Sequence, residues 1–557
     1  MRKLAISFAL ISVLAAAACS DNPYDPDGPA VDPNAPRVHI TSPERGTFAG
    51  DVATLEVKGN ASDDTGVASV TVNGVNATVA PDGSWTARVP VAAGTNLLHA
   101  IATDAQGNTG KETRAVVAGP TVSIDRVVGQ AITASMSTQT FDAIGRGAGN
   151  FITTSNLGAL VQPMNPVLDL GTTNGQPDCL YAQGRITSMS VAAADVKLIP
   201  QTGGLGLDVT LDGVSVGMYL QYAAACIDGS RNVTAKAQRL RVRGKLAVSL
   251  DNLGRFKIAL QNPNVQLVGL DVDLGGIPGA IVDLLSLDTR LGPVLAWATE
   301  RFVVPMLNNS LQSLTQTKTV NVLGKAIDIT VHPSRVEFDV TGALVELDTV
   351  LRAHGDEGSP GYVYVENVVP AMDKSQGFQL AVADDAANQL LGSFWAAKGM
   401  ELALDLKTGP YGEIGKLYDR VELAARVPPF IDASGKGLVL TIGDLMATFR
   451  DKNSVATQIA INATLKLEVV TKADGSLRFD VGTPKVFVDI LDEYIDGANQ
   501  LSNAQFEAVT SFALSRIVAF GSGAVGAIPM PSIGGVSMTN VSIAEQHGYL
   551  VVDGEIQ

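Results

Sequence analysis

The chain has 557 residues, 46% of them apolar but only 5% aromatic, with 56 glycines and a formal net charge of −16. The length asks for several domains, and the apolar content excludes a disordered chain. The acidic balance argues against nucleic acid as a partner and against adhesion to an anionic membrane through a basic patch, since both need clustered positive charge.

In chain order, Arg2 and Lys3 precede an apolar run, Leu4 to Leu14, and Ala15 to Ala18 leads directly into Cys19. That order is the one of an export signal. Small residues immediately before a cysteine resemble the lipobox of bacterial lipoproteins. The resemblance implies a signal peptide over 1–18, diacylglycerol on the Cys19 thiol and, with Ser20 next, an outer-membrane-anchored lipoprotein on the periplasmic or surface face of the envelope. An ordinary cleaved signal with an incidental cysteine is the alternative. Residues 19–36 carry Pro23, Pro26, Pro29, Pro33 and Pro36 with Asp21, Asp25, Asp27 and Asp32, a stiff charged tether that cannot build a core. With Cys19 acylated, Cys179 and Cys226 remain. In an oxidising compartment they form one disulfide, or they sit as two separate buried thiols. No later stretch reads as a spanning helix, because Gly and Pro interrupt the best candidate, 277–307.

Residues 37–118 read as all-β. Val38 and Ile40, Leu55 and Val57, Val70 and Val72, Val89 and Val91, and Leu98 with Ala100 and Ala102 alternate, and turn signals such as Asn73-Gly74 and Asp82-Gly83 separate them. The spacing predicts a sandwich of about seven strands. The run from Arg37 to Gly110 resembles the bacterial Ig-like modules of surface proteins, which implies a spacer or an adhesion unit. Asp63, Asp64 and Asp104 read as turn carboxylates rather than as a Ca²⁺ site.

Residues 120–557 repeat a plan of helix, strands, helix. In the first half Phe141, Ile144, Ala148, Phe151 and Ile152 make a helical stripe after Ser137 and Thr138. Gly145, Gly147 and Gly149 each cost that helix about 1 kcal/mol against Ala, which close packing on a neighbour would explain. Alternating strands follow at 207–211, 246–250, 256–260 and 270–274, then a second helical region over 281–311 that includes Leu285. In the second half Asp384 is expected to cap a helix whose stripe is Ala387, Leu390, Leu391, Phe394 and Trp395, with Gly399 as its left-handed stop. Met400, Leu402, Leu404 and Leu406 then alternate. Asp489, Asp492 and Glu493 read as the charged start of a closing helix, 494–520, that carries Phe506 and Phe512.

The segment LAVADDAANQLLGSFWAAKGMELAL, 380–404, and the ending IPMPSIGGVSMTNVSIAEQHGYLVVDGEI are similar to the C-terminal domain of the bactericidal/permeability-increasing and lipopolysaccharide-binding protein family, within the TULIP superfamily. The early strands from Ile186 to Val216 resemble its N-terminal domain. The likeness covers about 120–557. It implies an α+β fold: after the Ig-like sandwich, two elongated barrels, 120–330 and 331–557, each a curved antiparallel sheet wrapped on a long helix around a pocket for an acyl lipid. The Cys179–Cys226 separation is also like that of the family's single disulfide. The expected pocket residues are Phe141, Ile144, Phe151 and Leu285 in the first barrel, and Leu391, Phe394, Trp395 and Phe512 in the second. For each, plain core is the alternative. Arg239, Arg241, Arg243 and Lys245 alternate on one strand as a solvated face, so a phospholipid or another hydrophobic ligand fits better than an endotoxin phosphate.

The five histidines show no metal-ligand spacing, and no Gly-x-Ser-x-Gly elbow or Walker loop occurs. Gly521 to Gly526 satisfies a dinucleotide-loop pattern, but it follows a helix where the motif needs a strand. No catalytic residue, cofactor or metal is expected. The expectation is a lipid-binding envelope protein without covalent chemistry. The competing expectation is an adhesion protein whose barrels have filled cores.

Overall fold

The structure is a computed structural model that describes residues 34–252, 254–274, 276–277, 317–322, 324–408, 414–434, 437–452, 454–471, 477–493, 501–508, 510–511 and 538–556. Its N-terminal module is built as the alternation requires. One sheet orders Arg37–Ser42, Thr54–Ser62, Ser84–Pro90 and Thr78–Val79. The other orders Thr47–Gly50, Thr109–Ala118, Gly94–Asp104, Val67–Val72 and Val75–Asn76. Ile40, Val57, Val72, Val89, Leu98 and Ala100 meet between the sheets around Trp85. Asn73 and Gly74 take φ of 49° and 79°, the left-handed pair that a two-residue hairpin demands.

Past the module the chain builds three large sheets. The central one orders Lys318–Val322, Lys325–Phe338, Gly342–Ala353, Val128–Ser137, Phe378–Ala383, Tyr549–Ile556 and Met538–Gln546. It takes strands from both halves of the sequence, and the boundary expected at 330/331 falls inside one of them. The first flanking sheet orders Leu168–Thr173, Gln176–Ser190, Gly204–Ala224, Ile227–Leu250 and Phe256–Asp273, with Ala193–Gln201 also paired to the third. The second orders Leu402–Asp405, Arg420–Ala425, Leu438–Asp451, Ser454–Thr471 and Leu477–Val481, with Phe430–Asp432 and Lys485–Glu493 as side branches.

The α+β expectation is overturned. Of the described residues 63% are strand and 12% helical, a β-rich fold with a half-barrel and only short helices. They include α1 (Thr138–Thr154), α2 (Leu157–Val161), α3 (Asp384–Ala396) and α4 (Ile414–Leu417), with a 3₁₀ turn at Gln162–Met164. The reason is one of length. The 17 residues of α1 rise about 26 Å, whereas the 24 residues of Ile227–Leu250 extend about 80 Å, so among the described residues no helix can serve as the axis of such a sheet. The inner face closes instead on its own side chains: Leu207, Val209, Val216, Leu220, Leu240 and Val242 form one buried cluster with Phe141. The helical region expected over 281–311, with Leu285, lies outside the described residues, as does Phe512. Of the closing helix, 503–508 is helical, and Phe506 is buried 5.5 Å from the Phe449 ring. Among the described residues no helix is long and apolar enough to cross a membrane.

Candidate functional site

Helix α3 begins one residue earlier than a capping Asp384 would require. Ala383 is the N-cap, with no side-chain cap bond, and Asp384 is the first helical residue. Its carboxylate reaches out of the helix, accepting from Ala433 N at 2.9 Å and Asn367 Nδ2 at 2.8 Å. Asp385 accepts from Val365 N and from Asn367 Nδ2, each at 3.2 Å. Burial raises both carboxyls above the usual range, Asp385 to about 7. The stop also differs. Lys398, at φ 58°, takes the left-handed position, while Gly399 is needed because a Cβ there would stand 2.5 Å from the Phe394 ring.

Polar residues outside the expected stripe are buried with Phe394. Asn388 exchanges two bonds of 2.8 Å with the backbone of Ile431. Gln389 accepts from Leu351 N at 2.9 Å and donates to Ile124 O and Arg126 O at 2.9 and 2.7 Å. Ser393 accepts from Ala353 N at 2.6 Å and donates to Asp356 Oδ2 at 2.7 Å. These side chains satisfy backbone groups that no sheet ladder reaches, which is why polar residues belong there.

Of the expected second-half pocket residues, Phe394 is buried among Ile327, Ala353 and Ala397, and Leu391 is half-buried. Trp395 sits where α3, the second sheet and the N-terminal module meet. Its indole N–H donates to Ala425 O at 2.8 Å, and its ring lies 6.0 Å from that of Phe48. Beside it opens a cavity of about 240 Å³, lined by Trp395, Met400, Pro360, Glu357, Lys398 and Glu401 among others. It is smaller than the usual range for a drug-sized ligand, so it has room for a headgroup or a short chain segment.

In the first half Phe141 is buried with its ring 6.1 Å from Phe338, and Ile144 packs on the same cluster. Phe151, at the far end of α1, is 42% exposed, and Ile152 turns inward in its place. Cys179 and Cys226 are disulfide-bonded, and Cys226 N donates to Cys179 O at 3.1 Å. The basic row is spoken for: Arg239 pairs with Asp212, Arg241 and Arg243 with Asp208, and Lys245 donates to Thr202 O. Asp104 holds its own turn, accepting from Gln106 N, Asn108 N and Asn108 Nδ2. Cys19 lies outside the described residues.

The charged cluster that sequence reasoning missed joins the N-terminal module to the second sheet. Asp489, read as a helix start, lies in the strand Lys485–Glu493, on the face opposite Val488. It accepts from Thr113 N at 3.0 Å and from Arg45 Nη2 at 3.4 Å. Asp444, at φ 41° in an irregular stretch of its strand, accepts from Ala115 N at 3.0 Å, from Asn462 Nδ2 at 3.3 Å and from Arg45 Nη1. Glu112 accepts from Arg45, from Arg114 at 2.9 Å and from Ile40 N at 2.6 Å. Burial raises Asp444, and raises Asp489 to about 7, against the pull of Arg45. A signal for this cluster did exist. Asp489 interrupts Val486-Phe-Val-Asp-Ile490, a run apolar on both sides, and such a run belongs to a strand covered on both faces.

Comparison with known proteins finds likeness at two levels. Residues 36–119 match the family model described as glucodextranase, domain B. No curated protein matches the chain. A solved structure of lipopolysaccharide binding protein aligns over 77% of this chain and 98% of its own, at 12% identity and a TM-score of 0.36. P47 of Clostridium botulinum E1 aligns over 78% of this chain and 100% of its own, at 8% identity and a TM-score of 0.22. The solution structure of latherin aligns over 32% of this chain and 90% of its own, at 20% identity and a TM-score of 0.13.

Proposed function

We propose that this protein binds an acyl lipid or a similar hydrophobic ligand without covalent chemistry, as an envelope protein anchored to the outer membrane through lipid on Cys19. The carrying observation is a gradient of burial across the inner face of the first flanking sheet. On Ile227–Leu250 the inward row Ala235, Ala237, Leu240 and Val242 is buried. On its partner Phe256–Asp273 the facing row Val265, Leu267, Leu270 and Val272 is only partly covered, with Leu270 36% exposed. An acyl chain laid along that row would gain about 0.8 kcal/mol per buried CH₂. Arg239, Arg241 and Arg243 are committed to aspartates rather than to a net anionic headgroup, which favours a zwitterionic phospholipid or a neutral lipid.

Native mass spectrometry of the purified soluble chain, with organic extraction and uptake from labelled liposomes, tests the reading. Co-purified or acquired lipid is the expected result, and clean protein that takes up none overturns it. The packed surroundings of Phe141 and Phe394 support a second reading, an adhesion or structural protein with filled interiors, and the same clean result would favour it.

A further inference from the structure

The strand Thr109–Ala118 pairs with Gly94–Asp104 along one edge, and with Thr47–Gly50 only at 116–118. Over Glu112 to Ala115 its other edge meets no strand among the described residues. An unpaired edge leaves alternate N–H groups to be satisfied. Here Thr113 N and Ala115 N donate to Asp489 and Asp444, carboxylates reaching from the second sheet. Arg45 bridges those two carboxylates and Glu112, and Arg114 adds a second cation. The buried centre thus holds two cations against three carboxylates, and it exists only while the module lies on the sheet.

We propose that this cluster is a pH-sensitive latch, which holds the N-terminal module on the second sheet at mildly acid pH and loosens as the pH rises through neutrality. One excess negative charge without water is the physical basis. A proton on Asp489 or Asp444 relieves it, whereas an undocked module returns both carboxylates to solvent. Because docking raises both groups above their free values, the docked state carries the extra proton; docking weakens through Asp489 as pH rises from about 4 to about 7, and Asp444 acts in the same direction. One group opposes this. The His99 ring lies 4.4 Å from Phe487, and burial, with Lys111 and Lys485 nearby, lowers it to about 4. Docking therefore gains from His99 as pH rises to about 6.5. Above about pH 6.5 the imidazole no longer opposes, so the net loosening falls where Asp489 titrates, near neutrality, with Asp444 adding in the same direction. The other charges at this face are His39, 3.1 Å from Glu112, and the Lys111–Glu507 pair at 3.0 Å. Release uncovers the N–H groups of Thr113 and Ala115 on an open strand edge.

The test is hydrogen exchange of the Thr113 and Ala115 amides in the full chain, corrected for intrinsic rates, from pH 5 to pH 8. Asp489 against His99 predicts a fall in protection of about threefold over that range, deepened by Asp444, while Val209 and Leu240 in the first flanking sheet stay unchanged. Asp489→Asn keeps an acceptor and removes the proton, so its profile flattens. His99→Phe keeps a ring on Phe487 and removes the opposing imidazole, so its profile steepens. A pH-independent wild-type profile, a parallel fall at Val209 and Leu240, or a slope unchanged in both variants overturns the latch.

Discussion

Helices α1 and α3 follow a strand in corresponding places of the two halves, yet they are held in opposite ways. Helix α1 packs by what it lacks. A Cβ on Gly145 would stand 2.3 Å from Val196 O, and one on Gly149 2.8 Å from Ala194 O, so the glycines let the helix lie directly on the backbone of Ala193–Gln201. Helix α3 packs by what it carries. Asn388, Gln389 and Ser393 occupy the N–H and C=O groups of three separate segments: around Ile431, the end of the strand Gly342–Ala353, and the 124–126 turn. A helix against a regular strand meets a backbone already satisfied by its ladder and needs only closeness. A helix against open strand edges and a turn meets unsatisfied groups and must bring partners for them.

The largest way to break the contrast is Gln389→Leu. It keeps the bulk, leaves one N–H and two carbonyls buried without partners, and is expected to cost on the order of 4 kcal/mol, read as a lower urea midpoint of the second half. Gly145→Val in α1 should cost about 3 kcal/mol through overpacking. Gly145→Ala should lower stability too, against the usual helix preference for Ala, and a stabilised Gly145→Ala would show that α1 does not lie so close.

Smaller effects sharpen the polar side of the comparison. Because Asp385 is raised to about 7, the folded state holds the extra proton, and stability falls from about pH 4 to pH 7 by up to about 1.4 kcal/mol per pH unit. Denaturation profiles of wild type and Asp385→Asn should therefore converge at low pH and separate at high pH, and parallel profiles would contradict the assignment. The smallest effect has the opposite sign. Lys398→Gly relieves a left-handed backbone at φ 58° and should add about 1 kcal/mol to stability, since the exposed pair with Glu401 at 4.0 Å contributes little.

Much of this was legible in the residues. The Ser137 cap of α1, which accepts from Thr140 N at 3.4 Å, was readable, as were the inward alternation through Leu207, Val209 and Leu211 and the turn at Asn73-Gly74. Each rests on neighbours within a few positions, where backbone sterics and period decide the outcome. The burial of the polar side of α3 was not legible, because period alone says which residues share a face and not which face is covered. Trp395 was singled out as a pocket residue. Its ring packs near Phe48, in a module far earlier in the chain, while its edge borders the small cavity.

By itself, then, the sequence determined the periods, the turns, the acidic balance and the start of α1, since these depend on short-range sterics and on composition. Only the tertiary structure decided that strands up to 24 residues long dominate over helices, and that Asp384 turns away from its own helix. It alone brought Arg45 to Asp444 and Asp489, across 399 and 444 positions. The physical reason is the same in each case. Burial sets the worth of a polar group, and burial is a property of whatever distant segment comes to rest on it.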